Sequence, residues 1–340
     1  MAVLGIESTA HTASVGIVGP GAQVLALASD MYRPSAGGIH PREAANHHVA
    51  VLPGLVRQAI AEAHVRPAEL DAIAFAQGPG LGPCLRAGAT VARTLAISWD
   101  RPLVPVNHCV AHLEIARALS GLEDPMLLYA SGGNTQVVAY GGGRYRVLGE
   151  TLDIGVGNFL DKLWIALGGA FPGGPALEKE ARQGGELLPL PYSVHGMDVA
   201  FSGILTASLI LHQNGAPRSD LAYSVESVAY GMLTEITERA LAHRRCDEVV
   251  LGGGVACNAR LRTMVQTMVA DRGGTMFAPP PRLCVDNGAM IAWTGLLSFD
   301  AGLSVPIEAS TVDPRQRTDR VRAPWRDSAW GRARSPPRTT

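Results

Sequence analysis

No apolar run in this chain reaches the ~18 residues needed to span a bilayer, and the opening MAVLGIES carries no basic segment ahead of a hydrophobic one. Membrane insertion and secretion are therefore not expected, and the chain reads as cytoplasmic. Cysteine is scarce and unpaired in pattern. Cys84, Cys109, Cys246, Cys257 and Cys284 are odd in number and form no CxxC, which excludes a disulfide framework and a cysteine zinc site. Lysine is almost absent: of 29 basic residues only Lys162 and Lys179 are lysines. The positive charge is arginine, and it is uneven. From Pro314 onward eight arginines face two acids, so with a whole-chain net of −1 the first 313 residues carry −7. An arginine-rich end reads as a mobile, solubilising tail or as a nucleic-acid contact.

The composition that remains is 47% hydrophobic and 17% charged over 340 residues, enough for two domains with proper cores. An apolar run Val3–Ile6, a polar turn at Glu7, Ser8 and Thr9, a second run Ala13–Val18, a Pro20-Gly21 turn and a third run Val24–Ala28 predict three hairpin-connected strands. The same order returns at Met126–Ala130, Ser131–Thr135, Gln136–Tyr140, Gly141–Gly143 and Tyr145–Leu148. Helical stretches such as Glu43–Ala63 and Phe159–Leu167 follow each triple, and later strands, Ala72–Ala76 and Glu248–Leu251, run into glycine-rich turns. Two copies of one α/β unit predict two lobes around a cleft, with ligands at the carboxyl ends of the strands.

Those glycine turns lack the usual phosphate signatures. GPGLGPCLR (78–86) and LGGGVACN (251–258) have neither GxGxxG nor GK[ST]. Together with SGGNT and FPGGP they are bare backbone turns, able to bring amides close to a phosphate or sugar or simply to join strand to helix. In VNHCVAHLEIAR (106–117), Asn107 reads as an N-cap, and Val110, Leu113 and Ala116 or Arg117 repeat at helical spacing. His108 and His112 then share one face, where they could bind a metal or sit as a core-edge pair. A zincin is excluded, because Cys109 stands where that class needs a glutamate.

The segments GIESTAHT, GGIHPREAANHH, QGPGLGP, VNHCVAH, LYASGGNTQV, GETLDIGVGN, FPGGPALE, LPYSVHGMDVAFSG, LGGGVACNARL and CVDNGAMIAWTG, in order from about Val3 to Arg320, resemble the universal tRNA threonylcarbamoyladenosine-modifying transferase family. They are most similar to its archaeal and eukaryotic branch, the catalytic subunit of the KEOPS complex. The resemblance implies a duplicated actin, hexokinase and Hsp70-type (ASKHA) α/β fold, with lobes at 1–120 and 121–325; by composition alone, 326–340 reads as an Arg/Pro-rich flexible tail. It implies transfer of threonylcarbamoyl from threonylcarbamoyl-AMP to the exocyclic amine of the adenosine 3′ of the anticodon in tRNAs reading ANN codons. One divalent metal ion, Fe(II) or else Zn(II), would be held by His108, His112, Tyr129 and Asp286. The nucleotide would meet Tyr129, Ala130 and the amides of Ser131, Gly132 and Gly133. Asp161 and Glu178 would take the ribose hydroxyls, Gly174 would admit the sugar, and Asn258 would sit at the base; ATP or AMP could occupy the same place. Glu7 and Asp286 are the catalytic candidates, Glu7 because it fills the first hairpin turn, where hexokinase-like relatives carry an acid. Expected partners are tRNA and other KEOPS subunits, including a small atypical kinase on a separate chain. A small-molecule kinase of the same fold is the alternative. Two departures stand out: Trp164-Ile165-Ala166 replaces an expected Ala-Arg step, and the arginine-rich extension is unusual for the family.

Overall fold

The computed structural model describes residues 1–35 and 37–326 of the 340. The first three strands are β1 (Val3–Glu7), β2 (Thr12–Gly19) and β3 (Gln23–Met31), joined as antiparallel hairpins. Helix α1 (Pro41–Ala63) leads to β4 (Ala72–Gly78), α2 (Gly82–Trp99) to β5 (Leu103–Asn107), and α3 (His108–Ser120) closes the unit. β4 and β5 add in parallel, giving the order β3-β2-β1-β4-β5.

The second unit repeats this connectivity. β6 (Met126–Ala130), β7 (Thr135–Gly141) and β8 (Arg144–Glu150) form the antiparallel triple. Then come α4 (Val156–Ala166), α5 (Gly173–Ala181), the short β9 (Val194–His195) and β10 (Asp198–Val199), α6 (Ser202–Gln213) and α7 (Arg218–Arg244). β11 (Glu248–Gly252), α8 (Ala259–Asp271), β12 (Thr275–Phe277), α9 (Pro281–Cys284) and α10 (Gly288–Asp300) complete it. β11 and β12 extend the sheet in parallel to the order β12-β11-β6-β7-β8, the mirror of the first in list and the same in topology. The duplicated α/β fold expected from the sequence is present.

Burial follows from the strand period. In β1, Leu4 and Ile6 face a core shared with α1 and α2, while Val3 joins a central layer containing α3, α10 and the near face of the second sheet. With both faces covered, every β1 residue is buried, which is why β1 reads as a continuous apolar run rather than an alternation. α10 lies directly on β1 and β2: a Cβ on Gly5 would stand 2.2 Å from the backbone nitrogen of Ala292, and one on Gly16 would stand 2.4 Å from that of Ala289. Only glycine permits that approach. α10 thereby brings the end of the chain back against the first sheet, with its N-terminus at the junction between the two units.

One expectation is corrected. The segment Pro314–Arg326 is not a free tail: Ala323 and Trp325 are buried, and Arg326 sits over the Tyr140 ring and pairs with Asp124. A charge-rich segment packs here because buried Glu114 demands cations, and Arg117 and Arg326 supply them. The remaining residues, 327–340, lie outside the described ones. All five cysteines are free thiols, three of them buried.

Candidate metal and nucleotide cleft

The carboxyl ends of β1 and β6 and the start of α3 meet at a cavity of about 500 Å3, within the ~300–1,000 Å3 that small-ligand sites occupy. α3 starts where expected: the Asn107 side chain accepts from the Val110 amide at 3.0 Å. His108 and His112 are one turn apart, with ring centroids 4.9 Å apart. Tyr129, at the end of β6, places its hydroxyl 2.9 Å from His108 Nε2. Asp286 enters from the turn before α10, with Oδ1 3.3 Å from His112 Nε2 and 3.4 Å from His108 Nε2. Asp286 is not the cap of α10; Asn287 is, accepting from the Met290 amide at 2.9 Å. The carboxylate is therefore not consumed by the helix.

Ligand atoms of His108, His112 and Asp286 all lie within 4.8 Å of one another. Donors bound at ~2.0–2.2 Å to one ion stand roughly 3–4 Å apart, so the cluster needs little adjustment to hold a metal. The surroundings agree. His108 Nδ1 meets Glu7 Oε2 at 2.8 Å, and the other Glu7 oxygen takes the Thr9 amide at 2.6 Å. A carboxylate behind a histidine fixes the ring and leaves Nε2 to face a metal. In the metal-free chain, burial opposes a charge on His108, yet Glu7, Tyr129 and Asp286 together hold its pKa well above the ordinary value. Burial, with the charge of His108, keeps His112 lowered against Asp286. Burial opposes the Asp286 carboxylate too, but the two imidazoles hold its pKa well down. Burial pushes the Tyr129 phenol up. Two imidazoles, a phenol and a carboxylate form a donor set suited to one divalent transition ion.

The glycine turn expected to meet the phosphate follows β6. Ser131 donates its amide to Asn134 O at 3.0 Å, so of the three expected amides only those of Gly132 and Gly133 make no hydrogen bond among the described residues. α4 starts against this turn: Gly157 N donates to Ser131 O and Asn158 N to Gly132 O, both at 2.9 Å. Asp161 lines the cavity and accepts from the Gly173 amide at 2.7 Å. Burial lifts its carboxyl pKa, and the amides of Gly173 and Gly174 work against that.

Of the expected residues, His108, Tyr129, Ser131, Gly132, Gly133, Asp161 and Asp286 line the cavity, and His112 stands directly behind Asp286. Ala130 is buried beneath the turn. Glu7 does not line the cavity and is fully buried against His108. Gly174 and Glu178 lie along α5 beyond the cavity wall, where Glu178 accepts from Ala259 N at 3.3 Å and from Arg182. Asn258 is occupied at both ends: Nδ2 donates to Glu226 Oε1 at 2.6 Å, and Oδ1 caps α8. Sequence reasoning passed over Thr9, His11, Asn134, Asn158, Lys162 and Phe171, which also line the cavity. His11 meets Phe171 edge-on at 5.5 Å and so bridges the two units across the cleft. The rarity of lysine was the available signal for Lys162.

Fold and cleft define a class: a two-unit actin- and hexokinase-like α/β fold with a candidate metal triad beside a glycine turn. Solved structures agree on the fold. HypF from T. kodakarensis aligns with a TM-score of 0.63 over 88% of this chain and 48% of its own, at 17% identity. Component A of (R)-2-hydroxyglutaryl-CoA dehydratase from Acidaminococcus fermentans aligns at 0.54 over 87% and 97%, at 13% identity. The family model described as tRNA N6-adenosine threonylcarbamoyltransferase matches residues 23–293. The tRNA N6-adenosine threonylcarbamoyltransferases of Thermococcus kodakarensis and Thermofilum pendens are 52% and 51% identical to this chain. The alignments cover 96% and 95% of it, and 100% and 97% of theirs. A probable bifunctional tRNA threonylcarbamoyladenosine biosynthesis protein of Thermoplasma volcanium is 50% identical over 96% of this chain, which spans only 62% of that protein. The chain belongs to the tRNA N6-adenosine threonylcarbamoyltransferase family.

Proposed function

We propose that this chain transfers the threonylcarbamoyl group of threonylcarbamoyl-AMP to the exocyclic amine of the adenosine 3′ of the anticodon in tRNAs reading ANN codons. The observation that carries the reading is the convergence of His108, Tyr129 and Asp286, with His112 directly behind Asp286, beside the Gly132 and Gly133 amides at one cavity. An adenine amine is a poor nucleophile because its lone pair is delocalised into the ring, so the chemistry depends on an activated acyl donor. A mixed anhydride with AMP as leaving group is such a donor.

One divalent ion per subunit, Fe(II) or Zn(II), fits the four donors; when bound it supplies Lewis acidity toward a phosphate or carbonyl oxygen. The chain's own groups do the rest. The two free amides receive the phosphate and Asp161 accepts a ribose hydroxyl; Glu178 and Asn258, which stand outside the cavity lining, would reach sugar and base only after giving up the partners they hold here. Glu7 acts through His108, which it orients, rather than on the substrate. We read the division between lobes at 120 and 121, between α3 and β6. The partners are tRNA and other KEOPS subunits in the cytoplasm.

The kinase alternative is disfavoured by the same geometry: the acid of the first hairpin is turned onto His108 and away from the cavity. Incubating the metal-loaded chain with preformed adenylate and tRNA, then analysing tRNA nucleosides by mass spectrometry, should show the modified adenosine with stoichiometric AMP. No AMP release, with ATP-dependent phosphorylation of a sugar or acetate, would replace this reading with the kinase.

A further inference from the structure

The segment Pro314–Arg326 runs from the cleft along both sheets as a strap. Pro314 lines the cavity. Gln316 donates to Gln77 Oε1 at 2.7 Å and accepts from Asn107 Nδ2 at 3.1 Å, so the strap touches the residue that caps the metal-binding helix. It then crosses to the second sheet, where Thr318 Oγ1 donates to Gln136 and Arg322 forms an antiparallel bridge with Arg144 at the free edge of β8.

Four exposed arginines stand along this path without an ion pair among the described residues: Arg315, Arg320 and Arg322 on the strap and Arg144 on β8. The nearby acids are already engaged. Asp319 and Glu150 face Arg317, at 3.0 and 3.7 Å, and Asp313 is turned onto the Arg315 amide. Arg144 and Arg322 are directly opposite each other, an arrangement in which like charges repel at the distance of a cross-strand pair. A set of guanidiniums without a direct ion pair among the described residues, on a body that is otherwise −7 over its first 313 residues, is a locally focused anion site, although Asp319 offsets part of the Arg320 charge. Because the segment passes from the first sheet at Gln77 and Asn107 to the second at Gln136 and Arg144, its arginines are spread over both units, which suits a polyanion rather than a single phosphate.

We infer that this strap and the β8 edge form the seat of the RNA backbone, laid so that a base turned out of the strand enters the cavity past Pro314. This rests on the functional reading above and adds the surface that presents the substrate. The phosphate contacts carry affinity and register, not sequence.

The test uses the full-length chain and an unmodified tRNA transcript, with binding measured across a salt series. Reversing three charges, Arg315→Glu with Arg320→Glu and Arg322→Glu, should weaken tRNA binding tenfold or more and flatten the slope of log affinity against log salt by about 2 to 3, at ~0.7–0.9 per phosphate contact. AMP binding and metal content should stay at the wild-type level. The arginines beyond Arg326 are retained in every variant, so the difference reads the ridge alone. Arg322→Glu by itself is the structural control: it creates an ion pair with Arg144, so melting temperature should hold or rise while tRNA affinity falls. Wild-type affinity and salt slope in the triple variant, with transfer intact, would overturn the ridge and leave the functional reading standing. A wild-type chain that neither binds tRNA nor modifies it would overturn both.

Discussion

His108 Nδ1 lies 2.8 Å from Glu7 Oε2, joining the first residue of α3 to the last residue of β1 out of contact with solvent. The contact fixes which ring nitrogen keeps its hydrogen, and so which one is offered to a metal. Glu7→Gln removes the charge while keeping the shape. Metal affinity should fall about 10- to 100-fold, the usual cost of losing a carboxylate behind a metal-bound histidine. Chelator competition measures it directly. Unaltered affinity would mean that Glu7 does not position His108.

The two histidines should differ when replaced, although both are proposed metal ligands. His112→Ala empties a position whose Nδ1 has no hydrogen-bond partner among the described residues and whose Nε2 meets Asp286 at 3.3 Å, so the loss is coordination, that one contact and a modest cavity. His108→Ala also strands Glu7, a fully buried carboxylate left with the Thr9 amide and hydroxyl as its hydrogen-bond donors among the described residues. An unpaired buried charge costs about 3–5 kcal/mol. Both variants should lack metal and transfer activity, but in chemical denaturation of the metal-free proteins His108→Ala should be clearly the less stable. Equal stabilities would show that the Glu7 contact contributes little to the fold.

How much of this was legible beforehand depends on the length of the signal. The two strand triples could be read because hairpin turns and apolar runs are local, and the HxxxH helix because its cap and spacing lie within twelve residues. Asp286 could be placed in the metal set only by resemblance; nothing in its neighbourhood distinguishes it from a helix cap until Asn287 is seen to cap α10 instead. The packing of Pro314–Arg326 could not be read at all, because its counter-charge, Glu114, lies about two hundred residues away and is buried. Composition gave the opposite impression. Asn258 shows the converse: the motif was recognisable, but the side chain is spent on Glu226 and on capping α8, which only the three-dimensional partners reveal.

Acid sensitivity should have an identifiable contributor in His48. It is fully buried in α1 and donates through Nε2 to Ala10 O at 3.0 Å. Burial lowers its pKa to about 4 from 6.5, despite that hydrogen bond, and neighbouring His47 works in the same direction. Between those values the unfolded chain binds a proton that the folded chain refuses, so stability is complete above pH 6.5 and falls toward pH 4, by up to about 1.4 kcal/mol per pH unit. His48→Gln keeps a donor for Ala10 but cannot titrate. Its stability loss between pH 6.5 and pH 4 should be smaller than that of the wild type, measured by denaturant unfolding at each pH. Parallel curves would assign the acid sensitivity to other groups.

Replacing Asp286 separates binding from chemistry. The residue lies before α10 without capping it, so Asp286→Ala leaves the Asn287 cap and the helix intact. It removes the one carboxylate in the candidate metal triad, along with the negative charge that balances two imidazoles. The groups proposed to hold the nucleotide are elsewhere: the Gly132 and Gly133 amides follow β6, and Asp161 lies on α4. AMP affinity should therefore change by no more than about threefold, while the single-turnover transfer rate falls by roughly 100-fold or more, the pattern of an interaction that matters mainly in the transition state. Isothermal titration with AMP and a quenched single-turnover assay with preformed adenylate and tRNA give the two numbers independently. If affinity and rate fell together, Asp286 would be holding the ground-state nucleotide. If neither changed, the carboxylate would have no part in the centre, and the metal set would reduce to the two histidines and Tyr129.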